Sequence, residues 1–262
     1  MNYPTVSTLS SDRFLYTPPP SALSAKQILI KPNLGYPVPH PVTVSLHVLT
    51  QVIKGIQLAN PQADILIVEG VCSARSLDDI TAILNIQPLI KDKIHLLDAD
   101  TLPLTDYPNR CTKPVRFSSM WAPALLQEVD CRISIGAFKS TQLKGETLIS
   151  ASLKNLYGLF PRSRYKARSP NSRGQLHRPS VPLILQDVYG CIGHLFDAGV
   201  VDATYMYSSP DWKPDRSGAG TFLNQVIVGS SLLAVDQAAC DMAQVPIPSY
   251  IEGIRQNCPF AT

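Results

Sequence analysis

Residues 27–70 read QILIKPNLGYPVPHPVTVSLHVLTQVIKGIQLANPQADILIVEG. Gln27 to Ile30 is a short apolar run that enters Lys31-Pro32-Asn33, the pattern of a buried strand opening into a loop. Between Val44 and Ala59 the residues Val48, Leu49, Val52, Ile53 and Ile56 recur at helical spacing, and Pro61 ends that helix. Ile65 to Val68 is a second strand, with Glu69-Gly70 at its exit. Strand, helix and strand in this order begin an α/β layout.

The alternation continues downstream. A short helix is expected over Ser76 to Leu84 and a strand over Ile94 to Leu97, followed by Asp98 and Asp100. Ala122 to Val129 reads as a helix, Arg132 to Phe138 as a strand leading to Lys139, and Thr147 to Leu159 as a helix. Its apolar stripe would be Ile149, Leu153, Leu156, Tyr157 and Phe160. Val181 to Gly199 reads as a helix, Val200 to Tyr207 as a strand and Ser208 to Thr221 as a loop. Leu223 to Val228 and Leu232 to Ala243 complete the series as strand and helix. This order predicts a layered, mostly parallel sheet with helices on both faces. Residues 24–262 are expected to form one α/β domain, and residues 1–23 a poorly ordered or surface-clamped arm. Ligands in such folds bind beyond the carboxyl ends of strands. Lys31, Glu69, Asp98, Lys139 and Ser230 all stand at expected strand exits.

Charge is unevenly spread. From Thr147 to Gln186 there is no Asp or Glu, yet Lys154, Arg162, Arg164, Lys166, Arg168, Arg173 and Arg178 all fall there. The whole chain is only +3, so the remainder is net negative. Concentrated positive charge attracts phosphate, carboxylate or nucleic acid; a solvated basic loop is the plainer alternative. Lys139 and Lys144 lie just upstream and extend the field. A loop as long as Pro161 to Pro179 is usually functional or disordered.

Other signals narrow the classes. No run approaches the roughly 18 apolar residues that span a bilayer. Met1 to Asp12 lacks the pattern of a signal peptide, so a cytoplasmic location is expected. The six cysteines show no C-x-x-C spacing and read as buried free thiols. There is no G-x-x-x-x-G-K-[ST] phosphate loop, no dinucleotide fingerprint and no nucleophile elbow. Asp187 follows the basic loop, Asp202 lies in a strand, and Asp236 sits among apolar residues. Ionised groups in such settings need partners. They read either as proton-transfer groups facing the lysines or as structural caps and ion pairs.

Several elements together resemble a known family. Ile28-Leu-Ile-Lys31-Pro32-Asn33-Leu34 looks like its opening strand and loop, and Ile67-Val-Glu69-Gly70 like its second strand exit. Lys139-Ser-Thr-Gln-Leu-Lys144 with Ser152-Leu-Lys154-Asn155-Leu-Tyr-Gly158-Leu-Phe-Pro161 is the most specific match. Val201-Asp202 and Leu233-Ala-Val-Asp236 are similar to its later signatures. The family is domain-of-unknown-function family 362, and the resemblance runs over about Ile28 to Ala243. It implies an α/β fold. Some members carry a four-iron–four-sulfur ferredoxin-like module, which implies redox or cofactor metabolism; no clustered-cysteine segment of that kind occurs here. Relatives often place a histidine where this sequence has Thr141, a role that His177 could take over.

Three readings follow. In the leading one the protein is an enzyme for an anionic small molecule. Lys31, Lys139, Lys144 and Arg164 would hold its carboxylate or phosphate, with Asn33 and Asn155 orienting it. Lys154, Asp187, Asp202 and Asp236 would carry the chemistry. Paired lysines stabilise developing negative charge, and a lysine beside other cations has its pKa lowered. This reading names no cofactor and no metal ligand. In the second, Cys72, Cys131, Cys191, Cys240 and His177 bind a metal or cluster. In the third, the 162–178 loop binds nucleic acid or an acidic partner, with Tyr157, Phe160 and Tyr165 stacking bases. The acidic remainder and the lack of any nucleic-acid-binding motif make nucleic acid the least favoured partner.

Overall fold

A computed structural model describes residues 5–143, 146–210 and 217–261. The strands are β1 (Ser7–Ser10), β2 (Gln27–Pro32), β3 (Asp64–Glu69), β4 (Ile94–Asp98), β5 (Leu104–Pro108), β6 (Ser119–Pro123), β7 (Cys131–Leu143), β8 (Glu146–Ser150), β9 (Ala198–Ser209) and β10 (Ala219–Gly229). The α-helices are α1 (Leu46–Ala59), α2 (Leu77–Ile83), α3 (Leu125–Glu128), α4 (Arg162–Tyr165), α5 (Val181–Cys191), α6 (Leu232–Met242) and α7 (Ser249–Asn257). The main sheet has the order β1-β10-β9-β7-β2-β3-β4, and β8 also pairs with β7. The pairs β4/β3, β3/β2, β2/β7 and β7/β9 are parallel. The fold is therefore α/β with a mostly parallel sheet, as expected.

Alternation along the strands divides the core. Ile28, Ile30, Ile65 and Ile67 pack with α1 and α2 on one face. Leu29, Leu66 and Val68 pack with α5 and α7 on the other. Because both faces are covered, these strands read as unbroken apolar runs rather than alternating ones. The caps follow the sequence: Ser45 caps α1 by accepting from the Val48 amide, and Ser76 with Asp79 forms a capping box on α2.

Several expectations are corrected. Thr147 to Leu159 is not one helix. Its first part is β8, and Lys154–Leu159 is a 3-10 helix. β7 runs well past the end of β2, so its outer half presents unpaired backbone groups, and β8 satisfies them. Ala122 to Val129 divides into the end of β6 and the four-residue α3. The expected Ser208–Thr221 loop overlaps β9 and β10 at its two ends. Neither β1 nor α7 was expected. β1 joins the sheet by pairing with β10 through Ser7↔Val228 to Ser10↔Gln225.

The cysteines are not all free. Cys111 and Cys258 form a disulfide, while Cys72, Cys131, Cys191 and Cys240 are free thiols, of which Cys72 is exposed. Among the described residues no helix is long and apolar enough to cross a membrane.

Candidate functional site

The site lies where β2 and β3 end and β7 runs on beyond them, with Lys139 inside the outer half of β7. Pro32 stops β2, and Asn33 is fixed by donating its amide to Ile135 O at 2.9 Å. From β8 the chain turns back over β7 at Gly136. A side chain there would meet the Ala151 carbonyl at 2.5 Å, so the crossing needs glycine. The strap then delivers Ser152-Leu153-Lys154-Asn155 across the strand ends.

Each residue of this strap has a distinct attachment. Ser152 donates from its amide (2.7 Å) and its hydroxyl (2.6 Å) to Asp236 Oδ1 on α6. Ser134 Oγ on β7 donates to Ser152 O at 2.8 Å. Asn155 donates from Nδ2 to Lys31 O at 2.6 Å and to Ser134 Oγ at 3.0 Å, and accepts from Lys31 Nζ at 3.2 Å. Gly158 closes the strap: a Cβ at this position would strike Glu69 and come within 2.8 Å of Lys31 Cε. The Ser-Leu-Lys-Asn-Leu-Tyr-Gly element is thus built for its backbone path, and Lys154 is a member that it presents to the cavity.

Beneath the strap is a cavity of about 350 Å³ lined by Lys31, Lys139, Lys154, Arg173 and His177, among others. Glu69 is the one carboxylate among the described lining residues. It is fully used. Its Oε1 is 2.7 Å from Lys31 Nζ and accepts from the Gly70 amide, and its Oε2 accepts from the Leu34 amide at 2.7 Å. Arg173 is buried and donates to Val71 O at 2.8 Å and to Gly158 O at 3.2 Å. Its Nη2 pairs with Asp100 at 3.3 Å. The charges of Lys31 and Arg173 are therefore met within the protein.

Lys139 and Lys154 are different. Lys139 Nζ donates to two neutral acceptors, Asn33 Oδ1 at 3.2 Å and Val42 O at 2.9 Å. Lys154 Nζ has no hydrogen bond or ion pair among the described residues; it stands 5.9 Å over the Tyr157 ring. Burial, then the neighbouring Lys154 charge, lowers Lys139 to a pKa of about 7. Burial also lowers Lys154. His177 is held down to about 4, by burial and then by the Lys154 charge. Its Nδ1 lies 3.2 Å from Arg173 O, so Nδ1 carries the proton and Nε2 the lone pair. Cys72 also lines the cavity, with its Sγ 3.3 Å from Arg173 Nη1.

Of the residues expected at the site, the structure gathers Lys31, Asn33, Lys139, Lys154 and Asn155 around this cavity. Lys144 lies outside the described residues. Arg164 does not line the cavity, because its guanidinium stacks 4.0 Å over Trp121. The three aspartates are elsewhere too. Asp187 accepts from the amides of Val115, Arg116 and Phe117 and from Asn109 Nδ2, clamping that loop onto α5. Asp202 accepts from the Ser45 amide at 2.8 Å, joining β9 to the start of α1. Asp236 reaches the site only through Ser152 and Leu153, and also accepts from Tyr250 Oη at 2.8 Å. Asp98 and Ser230, although at strand exits, are outside the cavity as well.

The basic loop is folded, not structureless. It holds α4 and a 3-10 turn at Gly174–His177. Arg162 is paired with Asp100 at 2.6 Å, and Tyr157, Phe160 and Tyr165 are all buried. The candidate metal ligands do not converge: Cys131, Cys191 and Cys240 lie in three separate parts of the core. Among the described residues no group of three His, Cys, Asp or Glu side chains is placed to hold a metal ion. Glu69 and Gly158 are site residues that were not among the expected ligand-binding ones, and Tyr157 was expected only as an apolar-stripe and base-stacking residue. Glu69 stood at a noted strand exit, and Gly158 ended the most specific motif.

A family model described as a domain of unknown function, DUF362, matches residues 28–241. The chain belongs to the DUF362 family. The match spans all five parallel strands and every cavity residue discussed above. No curated protein matches this DUF362 chain. Among solved structures it is similar to the lactate racemase apoprotein from Thermoanaerobacterium thermosaccharolyticum. The identity is 13% and the TM-score 0.47, over 85% of this chain and 50% of that one. The DUF362 chain thus spans about half the length of that protein.

Proposed function

We propose that the cavity binds a small carboxylate or phosphate compound and that the protein is an enzyme acting on it. The observation that carries this reading is the Lys154 amino group, which lines the cavity with no acceptor among the described residues while Lys139 in the same cavity has only neutral ones. A buried lysine without a counter-charge is pushed toward its neutral form, and an anionic ligand supplies the counter-charge that restores the ammonium. Lys31 and Asn155 would fix the floor beneath the ligand. Cations held rigidly in a partly dry cavity also stabilise negative charge that develops during a reaction.

The test is binding of oxalate and of inorganic phosphate, measured calorimetrically. Lys154→Ala should weaken binding by about 10- to 100-fold, the range expected for one charge-assisted hydrogen bond, with an unchanged thermal midpoint. Lys166→Ala, on the exposed part of the basic loop, should bind normally. Equal binding by wild type and Lys154→Ala would reject the site. Loss of binding in Lys166→Ala alone would instead point to the loop surface.

A further inference from the structure

Resting on that reading of the cavity, we propose that Lys139 is a nucleophilic amine that forms an imine with a short oxo acid whose carboxylate is held by Lys154. The argument begins with the hydrogen bonds. Lys139 Nζ has two acceptors, Asn33 Oδ1 and Val42 O. A neutral amine has two N–H groups and one lone pair. Both N–H groups are then occupied, and the lone pair is the remaining valence at a nitrogen that lines the cavity. An ammonium in the same place would hold a third N–H with no acceptor among the described residues. Among the described residues no carboxylate lies within ion-pair distance of Lys139.

The other two cavity lysines are unsuited to this role. Lys31 is locked as an ammonium by Glu69 at 2.7 Å. Lys154 has no acceptor among the described residues to orient it, whereas Lys139 is held low by burial first and by Lys154 second. That combination, an amine with a pKa of about 7 beside a cation, is the arrangement that activates a lysine toward carbonyl groups. It also selects the substrate. Because Lys154 lines the same cavity, the fitting carbonyl compound is one that also carries an anion, as a 2- or 3-oxo acid does. His177, kept neutral, offers Nε2 as a proton acceptor in the same cavity.

The step balances without any added oxidant. The Lys139 lone pair attacks the carbonyl carbon as the C=O π pair moves to oxygen. A proton passes from nitrogen to that oxygen, giving the carbinolamine. A second proton leaves nitrogen as the hydroxyl departs as water, leaving the C=N bond. One amine and one ketone give one imine and one water.

The experiment is reductive trapping. The protein is incubated with pyruvate, 2-oxobutanoate or acetoacetate and then treated with borohydride. Intact mass and peptide mapping follow, with oxalate affinity measured on the same preparation. The expected result is a stable adduct on Lys139 with at least one oxo acid. Oxalate should suppress it, and acetone, which has no carboxylate, should not give it. Lys139→Arg should lose the adduct while retaining oxalate binding, and Lys154→Met should lose both. An adduct confined to exposed lysines, or no adduct in a protein that still binds oxalate, would overturn the imine and leave the anion site standing. Failure of wild type to bind oxalate at all would overturn the anion reading beneath it.

Discussion

The Nζ of Lys31 lies 2.7 Å from Oε1 of Glu69, and the two side chains are 1% and 2% exposed. This ion pair is the foundation on which the strap rests. Removing one partner from such a pair leaves the other buried and uncompensated. Glu69→Gln should therefore cost about 3–5 kcal/mol of stability in urea unfolding. The double variant Lys31→Met/Glu69→Gln should recover part of that loss. A single variant as stable as wild type would show that the pair is solvated.

Gly158 is where the strap touches that pair. Its replacement by alanine would push into Glu69 and against Lys31 Nζ, now 2.9 Å from the ideal Cβ position. Overpacking of this kind costs about 1–3 kcal/mol. Gly158→Ala should lower the urea midpoint and weaken oxalate binding together, since the strap carries Lys154.

Stability should depend on pH in two windows. Lys139 titrates near 7 in the folded protein against an ordinary value of 10.5. Between these values the unfolded chain binds more protons, so stability rises with pH across the window, and the penalty is complete below about 7. His177 behaves alike between about 4 and 6.5. Urea titrations at stepped pH should show Lys139→Met flattening the upper window and His177→Phe the lower. Parallel profiles for wild type and both variants would contradict the burial of these groups.

Asp236 and Asp187 should separate cleanly. Asp236 accepts from the Ser152 amide and hydroxyl and from Tyr250, and so positions the backbone that presents Lys154. Asp236→Asn should lose about 1–3 kcal/mol, the usual cost of a disrupted buried hydrogen bond, and weaken oxalate binding. Asp187→Asn should lose stability by a similar amount with oxalate affinity intact. Loss of binding in Asp187→Asn without loss of stability would place that residue back at the site.

What the sequence disclosed follows from how local its signals were. β2, β3 and α1 were legible because each is a compact apolar pattern closed by Pro32, Gly70 or Pro61. Lys31, Lys139 and Lys154 could be grouped because two follow strands and the third sits in the family's most specific motif. The aspartates misled because buried carboxylates look alike in sequence whether they accept protons or backbone amides. The partners of Asp187 lie some seventy residues upstream. β8 was hidden for a similar reason: its pairing depends on the length of β7, and its own residues fit a helical stripe. The Cys111–Cys258 bridge spans 147 positions and has no spacing signature.

The short β1 has a consequence for the molecule in solution. A sheet ends in strands whose outward N–H and C=O groups invite pairing with another chain. Here β10 is eleven residues long, yet the sheet does not end on it, because the four residues of β1 lie along its inner half. At the opposite margin stands β4, five residues long. The inner half of one border is thus covered by four residues, and the other border is a strand of five, in a sheet whose longest strand has thirteen. Covering the inner half of β10 in this way withholds part of its backbone from pairing with another chain.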